Sequence, residues 1–253
     1  MPHAERTSLI SETLDEGVLT LTLGAAPAHP LSLAMIGELD ASLTRAVDDD
    51  SVRVIIIHGP GKIFCAGHDL KEIAQHRSDD DGGRAYLTRL FHDCGKVMRA
   101  LTQSPKPTIA MVEGIATAGG LQLVAACDLA FASDAASFCL PGINDAVFCT
   151  TPAVAVARNL PRKLVMEMAL SGEVYGAAWA RESGLINRVM PGAELADFIH
   201  DFAQKLASRY GQNVADGKQT LYRQLEMPLD QAYAHATKVM IGHFMDSKAI
   251  DRE

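Results

Sequence analysis

Two short alternating runs, Leu9–Leu14 and Val18–Leu23, flank the polar turn Asp15-Glu16-Gly17. A period of two around a glycine-containing turn predicts a β-hairpin. The period then changes. Ile36, Leu39, Leu43 and Val47 recur every three or four positions within Leu31–Val47, which is the stripe of an amphipathic helix. Asp48-Asp49-Asp50 ends it, and Val52–Ile57 follows as a continuous apolar run of strand length. Thr108–Val112, fenced by Pro105 and Pro107, and Leu129–Ala132 read the same way. Between these strands, Arg84–Leu101 carries Leu87, Leu90, Phe91, Cys94, Val97, Met98 and Leu101 on one ladder. That helix faces a core and leaves His92 and Asp93 on or near its polar side. Buried strands alternating with helices predict an α/β fold with a parallel sheet. Beyond Pro152 the pattern is helical apart from a short strand at Ile186–Val189. His76–Gly83 is polar and glycine-rich with no apolar anchor, and reads as a mobile loop beside a cleft.

Two of the strands run into small-residue loops. After Thr108–Val112 comes Gly114-Ile-Ala-Thr-Ala-Gly-Gly-Leu-Gln-Leu-Val-Ala-Ala-Cys-Asp128, in which Gly119 and Gly120 precede an apolar helical stretch. Glycines there let a ligand approach the backbone, and a helix start leaves N–H groups without internal partners. Such amides suit an oxygen that gains negative charge in a reaction. A tight turn whose glycines serve packing alone is the other reading. After Val52–Ile57 the chain turns at His58-Gly59-Pro60-Gly61 and enters Phe64-Cys65-Ala66-Gly67-His68-Asp69-Leu70-Lys71-Glu72. Two strand-then-glycine loops could each supply one N–H to a single oxygen.

These two loops, with Leu170–Pro191, resemble the crotonase (enoyl-CoA hydratase/isomerase) superfamily, and the likeness runs from Gly17 to about Met245. Pro141–Arg158 is similar to the uncharacterised branch whose members are described only as containing an enoyl-CoA hydratase domain. The resemblance implies a crotonase-type ββα superhelix over residues 1–190. It implies a C-terminal helical layer, 191–253, that assembles homotrimers or hexamers. It also implies an acyl-CoA thioester as ligand, with coenzyme A entering as part of the substrate and with no separate cofactor or metal. The family's oxyanion hole carries over to the backbone N–H groups of His68 and Gly119. Contacts to the thioester carry over to Ala66, His68, Asp69, Leu70, Lys71 and Gly119. His68 stands where many relatives carry alanine, and its imidazole either reaches the acyl pocket or lines the cleft passively.

The departures from the family bear on the reaction. Hydratases of this family carry one glutamate three residues after the oxyanion-hole glycine and a second after a proline in a later loop. Here those places hold Gln122 and Gly142. Hydration needs a base for the water and an acid for the α-carbon, and each such group contributes about 10²–10⁴ in rate. Gln122 has no proton to exchange near neutral pH, and Gly142 offers only backbone. Asp145 is the candidate replacement carboxylate, or else a solvated loop or capping residue. Thr150, Thr151, Cys139 and Cys149 are nucleophiles by type, but no base is evident for them. Two functions stay open: an enzyme that stabilises an enolate or oxyanion by chemistry other than hydration, and a non-catalytic acyl-CoA binding protein.

Composition narrows the remainder. No apolar run reaches the roughly 18 residues of a membrane span, and Met1–Thr7 lacks a signal-peptide core. Five cysteines without paired spacing read as reduced thiols of a cytoplasmic protein. A net charge of −8 argues against a nucleic-acid partner. Any phosphate contacts must then be local, with Lys62, Lys71 and Lys106 nearest the loops.

Overall fold

The structure is a computed structural model that describes residues 8–246. The reading of Met1–Thr7 as lacking a leader lies outside these residues. Strands β1 (Ile10–Asp15) and β2 (Val18–Leu23) form the expected hairpin, paired from Ile10↔Leu23 to Asp15↔Val18. Its turn is Glu16-Gly17, with φ of 44° and 84°. Two positive φ values in a two-residue loop match the twist of the flanking strands. Helix α1 (Leu33–Asp48) starts two residues later than the periodicity suggests. Leu31 is drawn into a backbone bridge with His68, and Ser32 caps the helix by accepting the Met35 N–H. Strand β3 (Val54–Gly59) is likewise displaced by two. The Val52 N–H closes the preceding turn on Asp49 O, and the Arg53 N–H is taken up by Gly17 O of the hairpin turn.

From β3 onward one unit recurs. After β3 come β4 (Ile63–Cys65), α2 (Leu70–Gln75) and α3 (Arg84–Gln103). Then β5 (Thr108–Val112) leads to β6 (Ile115–Thr117) and α4 (Gly119–Ala126). Next, β7 (Leu129–Ser133) leads to β8 (Ser137–Cys139), α5 (Thr150–Val156) and α6 (Arg162–Ser171). The chain continues through β9 (Tyr175–Gly176), α7 (Ala177–Ser183), β10 (Arg188–Met190), α8 (Gly192–Ala207), α9 (Gly211–Gln224) and α10 (Leu229–Met245). Long strands gather in one sheet of order β1-β2-β3-β5-β7-β10, parallel after the hairpin, and short strands in a second of order β4-β6-β8-β9. This is the ββα superhelix that the resemblance implied.

Alternation along the long strands sorts the core. Leu21, Ile55, Ile57, Ala110, Val112 and Ala132 face α1, α3 and α4 in the larger cluster. Val18, Val54, Ile56, Ile109, Met111 and Phe131 face the other way, onto Leu195, Ile199 and Ala203 of α8. A sheet covered on both faces must have apolar residues at every position, which is why its strands are continuous runs rather than alternating ones. Residue 191, where the C-terminal layer was expected to begin, falls between β10 and α8. Helix α8 covers the sheet.

Helices α9 and α10 behave differently. No residue of α9 is buried, yet the helix is fixed to the core by a polar contact. Lys218 Nζ sits 2.7 Å from Asp128 Oδ2 and donates to the carbonyls of Leu101 and Lys106 at 2.9 and 3.0 Å. Asp128 also accepts from the Thr108 N–H and hydroxyl and from Tyr222 OH. Burial pulls the Lys218 pKa down against the opposing influence of Asp128. Every proton of the ammonium has an acceptor, which is the condition under which a buried pair is tolerated. By contrast, Leu221, Leu225, Leu229, Tyr233, Met240 and Phe244 are all more than half exposed. The His76–Gly83 segment is better anchored than its composition suggested. His76 stacks on Tyr86 with ring centroids 3.9 Å apart, and its Nδ1 is 2.7 Å from Asp79 Oδ2.

Candidate functional site

The first loop is shaped by a backbone bridge. The Ala66 N–H donates to Ala28 O at 2.9 Å, the Leu31 N–H to Gly67 O at 2.8 Å, and the Asp69 N–H to Leu31 O at 3.4 Å. In this parallel arrangement Leu31 bonds residues 67 and 69, so the N–H of His68 points away from it. Among the described residues, neither the His68 N–H nor the Gly119 N–H has a hydrogen-bond partner.

Glycines bring the second loop against the first. Gly67 has φ +84°, and a Cβ on it would stand 3.1 Å from Gly119 N. A Cβ on Gly120 would stand 2.1 Å from Cys65 O, inside contact distance of a backbone atom that cannot swing away. Gly120 thus serves the close packing of the two loops, and the left-handed residue of this turn is Ala118, with φ 47° and ψ −113°. Such a conformation costs a residue with a Cβ about 1–3 kcal/mol. It is held by the Ala118 N–H donating to Cys139 O and by Ala118 O accepting the Gln122 N–H. The result is two unpaired amides on touching loops, one of them at the start of α4. Together they can stabilise an oxygen that gains charge.

The side chains around them are mostly uncharged. His68 is half-buried, with its ring edge-on to Phe91 at 5.1 Å between centroids. Burial pushes its imidazole down to about 4. Gln122 is 4% exposed on α4. Gly142 lies in a 3₁₀ turn, Pro141–Asp145, that closes on itself: its N–H meets Cys149 Sγ at 3.3 Å, and its carbonyl accepts the Val147 N–H. Asp145 ends that turn, exposed and without a hydrogen bond or ion pair among the described residues.

Other expected residues have structural duties. Asp69 caps α2, its Oδ1 accepting the Lys71 and Glu72 N–H groups. Ala66 O accepts from Thr117 Oγ1, and Leu70, Lys71 and Lys62 are exposed. Lys106 is spent on the end of α1, donating to Ala46 O and Asp49 O. His92 is a surface group paired with Asp93, and the α3 residue that touches the site is its neighbour Phe91. Cys139 and Cys149 are buried, and burial pushes the Cys139 thiol up to about 11. That leaves it a poor nucleophile. Leu31 and Phe91 border the site without having been anticipated. Leu31 was read as the start of α1, and Phe91 was assigned wholly to the core ladder.

The ββα spiral brings two unpartnered amides together on touching loops. Comparison with known proteins gives the family. The profile of the family described as enoyl-CoA hydratase/isomerase matches residues 13–252, and the chain belongs to that family. The mitochondrial enoyl-CoA hydratase domain-containing protein 3 of Rattus norvegicus is 41% identical over 236 residues, covering 93% of this chain and 77% of the rat protein. An enoyl-CoA hydratase/isomerase family protein from Silicibacter pomeroyi superposes with a TM-score of 0.90 at 59% identity, covering 94% of this chain and all of that one. Human enoyl-CoA hydratase domain-containing protein 3 gives 0.90 at 38% identity, covering 96% and 93%. These relatives agree with the branch suggested by Pro141–Arg158. The rat protein's mitochondrial description lends no support to the cytoplasmic expectation. No helix among the described residues is long and apolar enough to cross a membrane.

Two predictions follow from this geometry. Gly120→Ala should destabilise the fold by about 3 kcal/mol or more, because its methyl would overlap the Cys65 carbonyl. Gly119→Ala should fold with a change of about 1 kcal/mol or less, since its nearest contact is the end of the Leu31 side chain at 3.2 Å. Urea denaturation of both variants checks the contrast. The second concerns pH. The folded state disfavours the protonated imidazole of His68, whose ordinary pKa is 6.5, so the unfolded chain takes up a proton first as pH falls. Its contribution to stability is complete above about pH 6.5 and is lost progressively toward pH 4. Denaturation midpoints measured from pH 7 to 4 should fall less steeply in His68→Phe, and an unchanged slope would contradict the assignment.

Proposed function

We propose that this chain binds an acyl-CoA thioester with the thioester carbonyl oxygen on the His68 and Gly119 amides. Its chemistry is stabilisation of an enolate or a tetrahedral oxyanion, not ordinary enoyl hydration. The observation that carries the reading is the pair of unpartnered amides on touching loops. Preorganised donors of this kind contribute about 10²–10³ each in rate. They act on charge developing at the carbonyl oxygen, whatever bond is made or broken next to it.

Hydration asks for more. Gln122 accepts or donates hydrogen bonds but moves no proton near pH 7, and Gly142 has no side chain. Asp145 is the carboxylate left on the bordering loop, and isomerisation, decarboxylation and thioester hydrolysis need no more than one such group beside the amides. A binding protein without turnover is the second reading, favoured by the exposure of Asp145. We further propose that α9 and α10 assemble a homotrimer or hexamer, supported by the exposed apolar side chains from Leu221 to Phe244.

Wild-type hydration of crotonyl-CoA should lie at least about 10²-fold below that of a two-glutamate hydratase. An acyl-CoA panel followed by mass spectrometry, with calorimetry alongside, is the test. Normal hydration rates would overturn the reading, and so would the absence of binding to any thioester. A substrate whose turnover is abolished in Asp145→Asn, with binding retained, selects the enzyme over the binding protein. Sedimentation equilibrium should find three or six chains per particle, and a monomer at micromolar concentration would refute the assembly.

A further inference from the structure

The ring of His29 ties together two segments that lead to the loop of the His68 amide. The residue is 1% exposed, and both ring nitrogens face main-chain carbonyls. Nδ1 lies 2.7 Å from Gly24 O, and Nε2 lies 3.1 Å from Pro60 O. A carbonyl only accepts, so a neutral ring donates to one of them at a time and a protonated ring to both. Gly24 and His29 belong to the segment between β2 and α1, whereas Pro60 lies in the turn between β3 and β4.

The first of these segments aims the His68 N–H. Ala28 O takes the Ala66 N–H, and Leu31 bonds residues 67 and 69, which leaves the N–H of residue 68 free. These bonds make an isolated bridge outside both sheets, so no longer ladder fixes their register. His29 stands between the two residues that form it. Its backbone is left-handed, with φ 47°, and so is that of Ala25, with φ 57°. Conformations of this kind persist only where surrounding contacts hold them. Here the contacts are the His29 N–H on Ala25 O and the His29 ring on Gly24 O.

The second segment connects with the other amide. Glu113, just past β5, accepts the Gly61 N–H on Oε2 at 2.8 Å, and its Oε1 is 2.9 Å from His58 Nε2. Strand β5 is the one that leads through β6 to Gly119. A continuous path of bonds therefore runs from β5 through Glu113, the 58–61 turn and the His29 ring to Leu31 and residue 68. It links the two amides independently of the contact between Gly120 and Cys65.

We propose that His29 is a positioning residue. Its bond to Pro60 sets the bridge at residues 28–31, and the bridge aims the His68 N–H at the oxygen that the Gly119 N–H also meets. The proposal rests on the thioester reading above, and its test reads the contact with the carbonyl separately from binding as a whole.

The ligands are butyryl-CoA and the thioether S-butyl-CoA, in which a methylene replaces the carbonyl. Calorimetric titration of the intact protein with each gives an affinity ratio that reports the carbonyl contact. The wild-type protein should prefer the thioester by at least about tenfold, as two hydrogen bonds would give. In His29→Asn the shorter amide takes the place of Nδ1 and reaches Gly24 but not Pro60, and the ratio should fall at least about fivefold. In His29→Gln the longer amide reaches as far as Nε2, and the ratio should stay within about twofold of wild type. Glu113→Ala frees the same turn from a partly exposed position and should lower the ratio at least about twofold. Infrared spectra should show the stretch of the bound carbonyl, lowered in frequency by two donors, moving back up wherever the ratio falls. An unchanged ratio in His29→Asn or in Glu113→Ala overturns the positioning role and leaves the thioester reading intact. An equal fall in His29→Asn and His29→Gln overturns the assignment to the Pro60 bond. A wild-type ratio near one, or no binding of either ligand, overturns the thioester reading and the positioning role with it. Because Glu113→Ala reads the same path from the surface, a His29 variant that does not fold leaves the test standing.

Discussion

Everything at the site depends on how closely two stretches of backbone approach each other. The Gly120 Cα faces the Cys65 carbonyl with no room for a methyl between them, and the Gly67 Cα lies against the Gly119 amide. Side chains at either place would hold the loops apart by the width of a methyl group. Two amides separated in that way could not serve one oxygen. The contact also explains why a strained Ala118 is kept. Its left-handed backbone turns the chain from β6 into α4 within one residue, and α4 must begin there for the Gly119 N–H to remain free.

The rest of the spiral holds the two loops in register. Because β3 and β5 are adjacent and parallel in the long sheet, and β4 and β6 in the short one, the loops that follow β4 and β6 emerge side by side. A displacement of either strand by one residue would turn its core face outward, so burial on both faces of the sheet sets the register strongly. Asp128 extends this control to the C-terminus. Its carboxylate receives the first amide of β5 and the ammonium of Lys218, so a helix that buries no residue is still positioned by the strand leading to the site. Breaking such a pair from one side leaves a buried charge, at a cost of about 3–5 kcal/mol.

Periodicity made the hairpin, α1, α3 and the long strands legible, with boundaries shifted where a backbone bond intervened. Leu31 and Val52 look apolar enough to extend α1 and β3. Leu31 instead pairs with the first loop, and Val52 closes the turn before β3. The short strands β4, β6, β8 and β9 are two or three residues long, too short for any period to register. The small-residue loops marked a close backbone approach, and the family resemblance singled out His68 and Gly119 within them. Phe91 left no such mark, since an aromatic on a core ladder reads as core even where the residue is 40% exposed and its ring meets that of His68. The ties of Lys106 and Asp69 were also invisible, because a capping role depends on which carbonyl or amide the fold brings near.

The two departures from the family pattern differ in kind, and that difference bears on what the site has become. Gln122 keeps the shape of a glutamate and removes its proton. At 4% exposure a carboxylate there would favour its neutral form, so the amide preserves packing and hydrogen bonding while avoiding the desolvation of a charge. Gly142 is more than a truncated side chain. A Cβ at that position would stand 2.6 Å from Val147 O and 2.9 Å from Cys149 Sγ, so the loop itself occupies the space in which a side chain would begin. A residue with a side chain at 142 would have to displace the Val147 carbonyl, which belongs to backbone held by the bond from the Val147 N–H to the Gly142 carbonyl. The first departure is reversible by a single substitution and the second is built into the backbone. Position 142 thus has no room for a side chain and position 122 carries an uncharged one, while the His68 and Gly119 amides have no partner among the described residues.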